Sequence, residues 1–406
     1  MIHRRTLLTG IAGLAVSSLL ASCSRSADSL KITLLEGAVP QEILRQFRNQ
    51  IAEPVDLTTL AQTQRIFQRL QRWQQTPTEN ASFWQRFLPG NQAATAPVAD
   101  TLVSLGDYWL KAAIAQDLIE PLTLPDETWE LLPFQWQQFV SRDATGQSIS
   151  PDNAERQRWA APYKVQSLVI VYRQSQYPAA PSASTASASS QSPFQQWRDL
   201  LDPELRQRIA LPDHPNLALG LLQKIETGSF NTSFNSLVNS SASTTQLVQQ
   251  LNDELSEPFA QLNQQVRTYD ASNALKALIN EDVDIVIAWS GDVTTALRRY
   301  QDLRAVVPAE GSLLSADLWV QPKGALLSEA AKQWIAFCWE SGPATQLSIS
   351  SRGISPVFLG EEVILPTAVG QNLLAGPALQ NSEPLLLLPD AMQAAYVALW
   401  KQLRTG

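Results

Sequence analysis

Histidine and cysteine are almost absent from this chain: two of each among 406 residues, with two methionines. The histidines are His3 and His214, and no spacing of His, Cys, Asp and Glu matches a metal site. With His3 inside an N-terminal export segment and His214 between Asp213 and Pro215, a histidine general base has no place to work. Gly-x-Ser-x-Gly, Walker and His-Glu-x-x-His motifs are also missing, which removes the common hydrolase and nucleotide-binding readings. A hydrolase built on two carboxylates stays open, since any pair among 38 acids could serve. No apolar run is long enough to span a bilayer: the longest, Leu7–Leu20, falls short of the roughly 20 residues required. Excess positive charge is missing too, since the chain carries a net charge of −8. Nucleic acid is therefore a poor partner, and cationic ligands are weakly favoured.

What is present begins with export. "MIHRRTLLTGIAGLAVSSLLASC" places Arg4 and Arg5 before the apolar run and small residues before Cys23, the order of a signal peptide over residues 1–22. Leu20-Ala21-Ser22-Cys23 resembles the bacterial lipobox, which implies cleavage before Cys23 and a lipid on its sulfur. Arg4-Arg5-Thr6-Leu7-Leu8 also resembles a twin-arginine signal without its usual phenylalanine, so the export route stays open. Lipidation would use one of the two cysteines and leave Cys338 alone. That thiol sits in "AAKQWIAFCWESG", at helical apolar spacing, and reads as a buried small hydrophobe. Cleavage would move the net charge to about −10, since residues 1–22 contain two arginines and no acid.

The remaining length suits two cores better than one. "LKITLLEGAVPQEILRQFRNQ", "VDLTTL" and "APVADTLVSLGDYWLKAAIAQDLIEPL" read as strand, helix, strand, helix, strand, and predict parallel pairing through right-handed crossovers. A second unit begins after "RWAAPYKVQSLVIVYR" and contains "RIALPD" and "VDIVIAWSGD". In the latter, Ile285–Ala288 lacks alternation and predicts a strand covered on both faces, with Asp292 as N-cap of the next helix. Trp289 ends that strand, where α/β sheets bind ligands, although an indole there also fits a core position. Residues 178–193, "PAAPSASTASASSQSP", bury too little apolar surface to order themselves and predict a disordered loop. Residues 227–246 are a weaker case, because Phe230, Phe234 and Leu237 could anchor them.

Taken in order, "VPQEILRQF", "SLGDYWLKAAIAQDLIEPL", "WAAPYKVQSLVIVYR", "WRDLLDPELRQRIALPD", "LKALINEDVDIVIAWSGDV", "LLSADLWVQPKGA" and "RGISPV" resemble the bacterial extracellular solute-binding proteins of the polyamine type. Each is weak alone and the ordered set is specific. The resemblance implies an α/β fold of the type II periplasmic-binding-protein kind, two lobes with the ligand cleft between them. Lobe one would hold residues 29–166 and 316–362, and lobe two residues 167–315 and 363–406. It implies a lipid-anchored receptor in the periplasm or on the cell surface, which hands a polyamine such as spermidine or putrescine to an ABC-transporter permease. It implies no cofactor, no metal and no catalysis.

Carried over by position, Trp289 would lie against the methylene chain, Asp317 and Asp213 would take ammonium groups, and Ser104 and Asp107 would add hydrogen bonds or charge. Asn216 falls where the family has a second acid, Leu35 and Ala38 fall where it has aromatics, and Ser315 and Ala316 fall where another tryptophan is usual. With this thinner box the ligand stays open between a polyamine and another amine, and the 12 tryptophans also keep a sugar in view. Asp107 reads equally as a helix N-cap and Asp213 as a turn residue beside Pro215. Asp317, before the apolar Leu318-Trp319-Val320, would be costly to bury unpaired.

Overall fold

The computed structural model describes residues 29–74, 100–150, 153–178, 192–233, 242–270, 273–350, 353–360, 366–367, 369, 374 and 377–405. Cys23, residues 179–191 of the Ser/Ala/Pro segment, and Phe234 and Leu237 lie outside the described residues. Among the described residues no helix is long and apolar enough to cross a membrane.

The strands in chain order are β1 (Leu30–Leu35), β2 (Val55–Leu60), β3 (Leu102–Gly106), β4 (Ile119–Glu120), β5 (Ser141–Arg142), β6 (Gln157–Arg158) and β7 (Ala161–Arg173). They continue with β8 (Ile209–Leu211), β9 (Val266–Tyr269), β10 (Ile285–Trp289), β11 (Leu303–Val306), β12 (Leu313–Pro322) and β13 (Glu383–Pro384). One large sheet runs β2-β1-β3-β12-β7-β10-β8-β9. At one end β1 pairs parallel with β2 and β3, as the crossovers require. Gly37, at φ 75°, makes the turn after β1, and helix Gln41–Arg48 then buries Ile43, Leu44 and Phe47. At the other end β8 pairs parallel with β9 and β10.

The middle of the sheet departs from the parallel expectation. β12 is antiparallel to both β3 and β7, and β10 is antiparallel to β7. β7 and β12 stand between the parallel strands of the two ends, and chain direction reverses where they meet them. β7 is 13 residues long because it serves both halves: Ala161–Ser167 pairs with β12, then Leu168–Tyr172 pairs with β10. A β-bulge falls between Asp317 and Leu318, where β12 leaves register with β7.

Both faces of β10 are covered, as its composition predicts. Ile285 and Ile287 enter a core with Leu168, Ile170 and Leu222, while Val286 enters the other core with Val169 and Val171. The first of these cores is closed by helix Asp390–Thr405, which inserts Met392, Tyr396, Leu399 and Trp400 against helices Pro215–Thr227 and Thr244–Gln265. Cys338 is fully buried, and burial pushes its thiol pKa well up, so it is inert packing. The helix after β10 starts at Ser290 with Trp289 as N-cap. Asp292 is therefore not the cap: it lies in the first turn, where an acid still complements the exposed N–H groups and the dipole.

Candidate functional site in the inter-lobe cleft

One face of β7 leads from a core to an ion pair. In antiparallel pairs opposite residues share a face. Leu168 lies opposite Trp289, Gln166 opposite Ser315, and Lys164 opposite Asp317. Because side chains alternate, Leu168, Gln166 and Lys164 point the same way. That surface passes from buried Leu168 through half-buried Gln166 and Ser315 to Lys164 and Asp317, a run of about 13 Å at 3.3 Å per residue. Trp289 stands half-buried at one end of it, packed along the second core but not enclosed by it.

At the other end Lys164 Nζ lies 2.5 Å from Asp317 Oδ2, with both side chains about a tenth exposed or less. Asp317 thus avoids the cost of lone burial, but by an internal cation. The contact is one of charge and not direction, since Oδ2 lacks any partner of hydrogen-bond geometry. Gly353 makes room for this arrangement: a Cβ there would stand 2.5 Å from Lys164 Cγ and 3.0 Å from the Val165 carbonyl oxygen. No sequence pattern named Lys164, yet the sign was present, because a lysine inside an otherwise apolar strand needs a buried acid.

Asp107 follows β3 and opens the short 3-10 turn Asp107–Trp109, with Gly106 in the cap position. It is not an N-cap. Its Oδ1 accepts the backbone N–H of Ala316 across the sheet at 2.9 Å, which ties the end of β3 to β12. Burial first, and the charge of Asp317 after it, push the Asp107 carboxyl up to about 7, against hydrogen bonds from backbone N–H groups that pull it down. Arg142, at the end of β5, faces the same group electrostatically. Burial lowers its pKa while Asp107 and Asp143 raise it, and no carboxylate among the described residues lies within ion-pair distance. Nothing in "SRDATG" signals that role.

The other candidates have structural partners. Ser104 is buried and shares a 2.7 Å hydrogen bond with the Tyr163 hydroxyl, whose ring stacks on Trp319 at 4.2 Å. Asp213, after β8, accepts hydrogen bonds from Trp400 Nε1 and Arg404, each at 3.0 Å, and so fastens the C-terminal helix. Asn216 is 3% exposed and exchanges amide hydrogen bonds with Gln393 at 2.9 and 3.1 Å. Tyr108 was not singled out by the sequence; it is half-buried near Asn216 and Leu388, and burial pushes its hydroxyl pKa up. The structure brings Asp107, Asp317 and, along the strand, Trp289 to one surface, and it places Asp213 and Asn216 at the C-terminal helix.

A two-lobed mixed α/β fold whose long hinge strands carry polar groups between the lobes is that of type II periplasmic binding proteins. The family model for bacterial extracellular solute-binding proteins matches residues 96–378, and the chain belongs to that family. Its members bind solutes and are not enzymes. No curated relative matches the sequence. Among solved structures, the chain is similar to the spermidine/putrescine ABC transporter substrate-binding protein PotD of Streptococcus pneumoniae, with TM-score 0.67 and 19% identity over 93% of this chain and 98% of that one. A putative spermidine/putrescine ABC transporter from Listeria monocytogenes gives 0.60 and 18%, over 93% and 99%. A PotD lipoprotein of Treponema pallidum gives 0.62 and 12%, over 93% and 99%. At these identities the likeness establishes the fold.

Proposed function

We propose that this chain is the extracytoplasmic receptor of an ABC importer and that it delivers a small amine, in the first instance a polyamine such as putrescine or spermidine. The observation that carries the reading is the shared surface of β7, β10 and β12. It offers an indole face at one end for an alkyl spacer or cation–π contact, and two carboxylates, Asp107 and Asp317, at the other for ammonium groups. The neighbours named for spermidine and putrescine support the same ligand class. Asp213 would contribute only by leaving Arg404, and Ser104 only through Tyr163. Lipid anchoring at Cys23 holds the receptor beside its permease.

Arg142 favours a second reading, an amine that also bears an acid, because a half-buried cation without an ion-pair partner among the described residues suits a ligand carboxylate. Calorimetric titration of the mature chain with putrescine, spermidine, an ω-amino acid and maltose decides among these. Heat from the polyamines alone supports the first reading. Heat from the amino acid alone replaces it with the second, and heat only from maltose removes the amine altogether.

A further inference from the structure

We propose that Lys164 is a tethered competitor for the ligand's ammonium at Asp317, so that a solute cation binds there by displacing this side chain. The inference rests on the amine-receptor reading above and assigns Lys164 the part of setting how much positive charge a ligand must bring.

Four observations carry it. Lys164 is the sole cation in ion-pair contact with Asp317 among the described residues, and it comes from the hinge strand β7, which lies between the lobes. The pair is nearly buried, so an empty cleft with Asp317 ionised and unpaired would be costly, and some cation must stand there. Yet the contact lacks hydrogen-bond direction at Oδ2, so a primary ammonium approaching in line would make the bond that Lys164 does not. Finally, a lysine head stands on a flexible four-carbon stem, so the ammonium can leave Asp317 by rotation of its outer torsions while Cγ and Cδ stay packed against Gly353. Asp107 stands near Asp317 and remains for a second positive group. A ligand with one ammonium gains little by exchanging itself for Lys164. One with two gains at both carboxylates.

The test compares the wild type with Lys164→Met, Lys164→Arg and Lys164→Met/Asp317→Asn by calorimetry and thermal melting, using putrescine, spermidine and butylamine. Lys164→Met should melt below the wild type without ligand, recover on adding spermidine, and bind spermidine roughly tenfold tighter or more, the scale of one charge-assisted hydrogen bond. Butylamine, which can satisfy only one carboxylate, should gain no more than putrescine and stay the weaker ligand. Lys164→Arg keeps a tethered cation and should show no gain, and removing Asp317 should abolish the gain. If Lys164→Met does not fold, Lys164→Gln, which keeps a polar tip, replaces it. A wild type that binds polyamines, with a Lys164→Met that binds them no tighter, overturns this inference and leaves the receptor reading standing. A wild type that ignores polyamines beside a Lys164→Met that binds them supports the competitor in its strongest form. Failure of both proteins to bind at millimolar concentration overturns the inference and the amine reading together.

Discussion

Replacing Asp107 by asparagine should change the slope of stability against pH. The Asp107 carboxyl sits at about 7 in the folded protein against an ordinary 3.8, chiefly through burial. A carboxyl whose folded pKa is raised binds more protons folded than unfolded, so its contribution is fully present below about 4 and is lost as pH rises through 7. At about 1.4 kcal/mol per tenfold, the whole span reaches up to about 4 kcal/mol, and less in so far as water touches the group. Between pH 5 and pH 8 the wild type should lose about 3 kcal/mol from this group, a large part of a typical domain stability of about 5–15 kcal/mol. Asparagine cannot titrate, but its carbonyl oxygen still accepts the Ala316 N–H, so geometry is kept. Urea unfolding of both proteins across that range should give curves that diverge, with the variant gaining on the wild type as pH rises. Curves that stay parallel would refute the burial account of Asp107. Polyamine affinity should show the reverse trend in the wild type, falling roughly tenfold from pH 8 to pH 6 as the group takes up its proton, and should be flat in the variant.

Trp289→Ala should weaken polyamine binding by roughly tenfold or more at nearly unchanged melting temperature, because the indole is only half-buried. A loss of about 3–5 kcal/mol of folding free energy with intact affinity would instead make it a core residue. Gly353→Ala should cost about 1–3 kcal/mol by thermal or urea melting, since its Cβ meets the Lys164 stem and the Val165 carbonyl, and an unchanged midpoint would show that the stem moves freely. Cys23→Ala should leave an uncleaved, unlipidated precursor, seen by metabolic lipid labelling, and normal mature lipoprotein would remove Cys23 as the anchor.

The sequence carried the elements better than their directions, and the acids better than their partners. β10 was legible because its residues alternate between two cores and so all must be apolar: Ile285 and Ile287 go to one, Val286 to the other. The antiparallel hinge was not, because β12 meets β7 about 150 positions away in sequence and no local pattern encodes that direction. The acids Asp107 and Asp292 were misplaced as caps for a related reason. A carboxylate is favourable anywhere in a first turn, so residue type fixes the neighbourhood of a helix start and not the position within it. Charge is the deeper limit. Asp213 and Asp317 advertise negative sites when read along the chain, but each already holds a cation, Arg404 from the last helix and Lys164 from the hinge. An acid in a cleft is therefore available to a ligand only to the extent that its internal partner can be displaced. That depends on burial and direction: Arg404 makes a directed bond to a half-exposed Asp213, whereas Lys164 meets Asp317 out of line and nearly dry. By Coulomb's law the drier pair is the stronger attraction for whichever cation wins it, so on the amine-receptor proposal the discriminating contact is the one at Lys164 and Asp317 and not the one at the C-terminal helix.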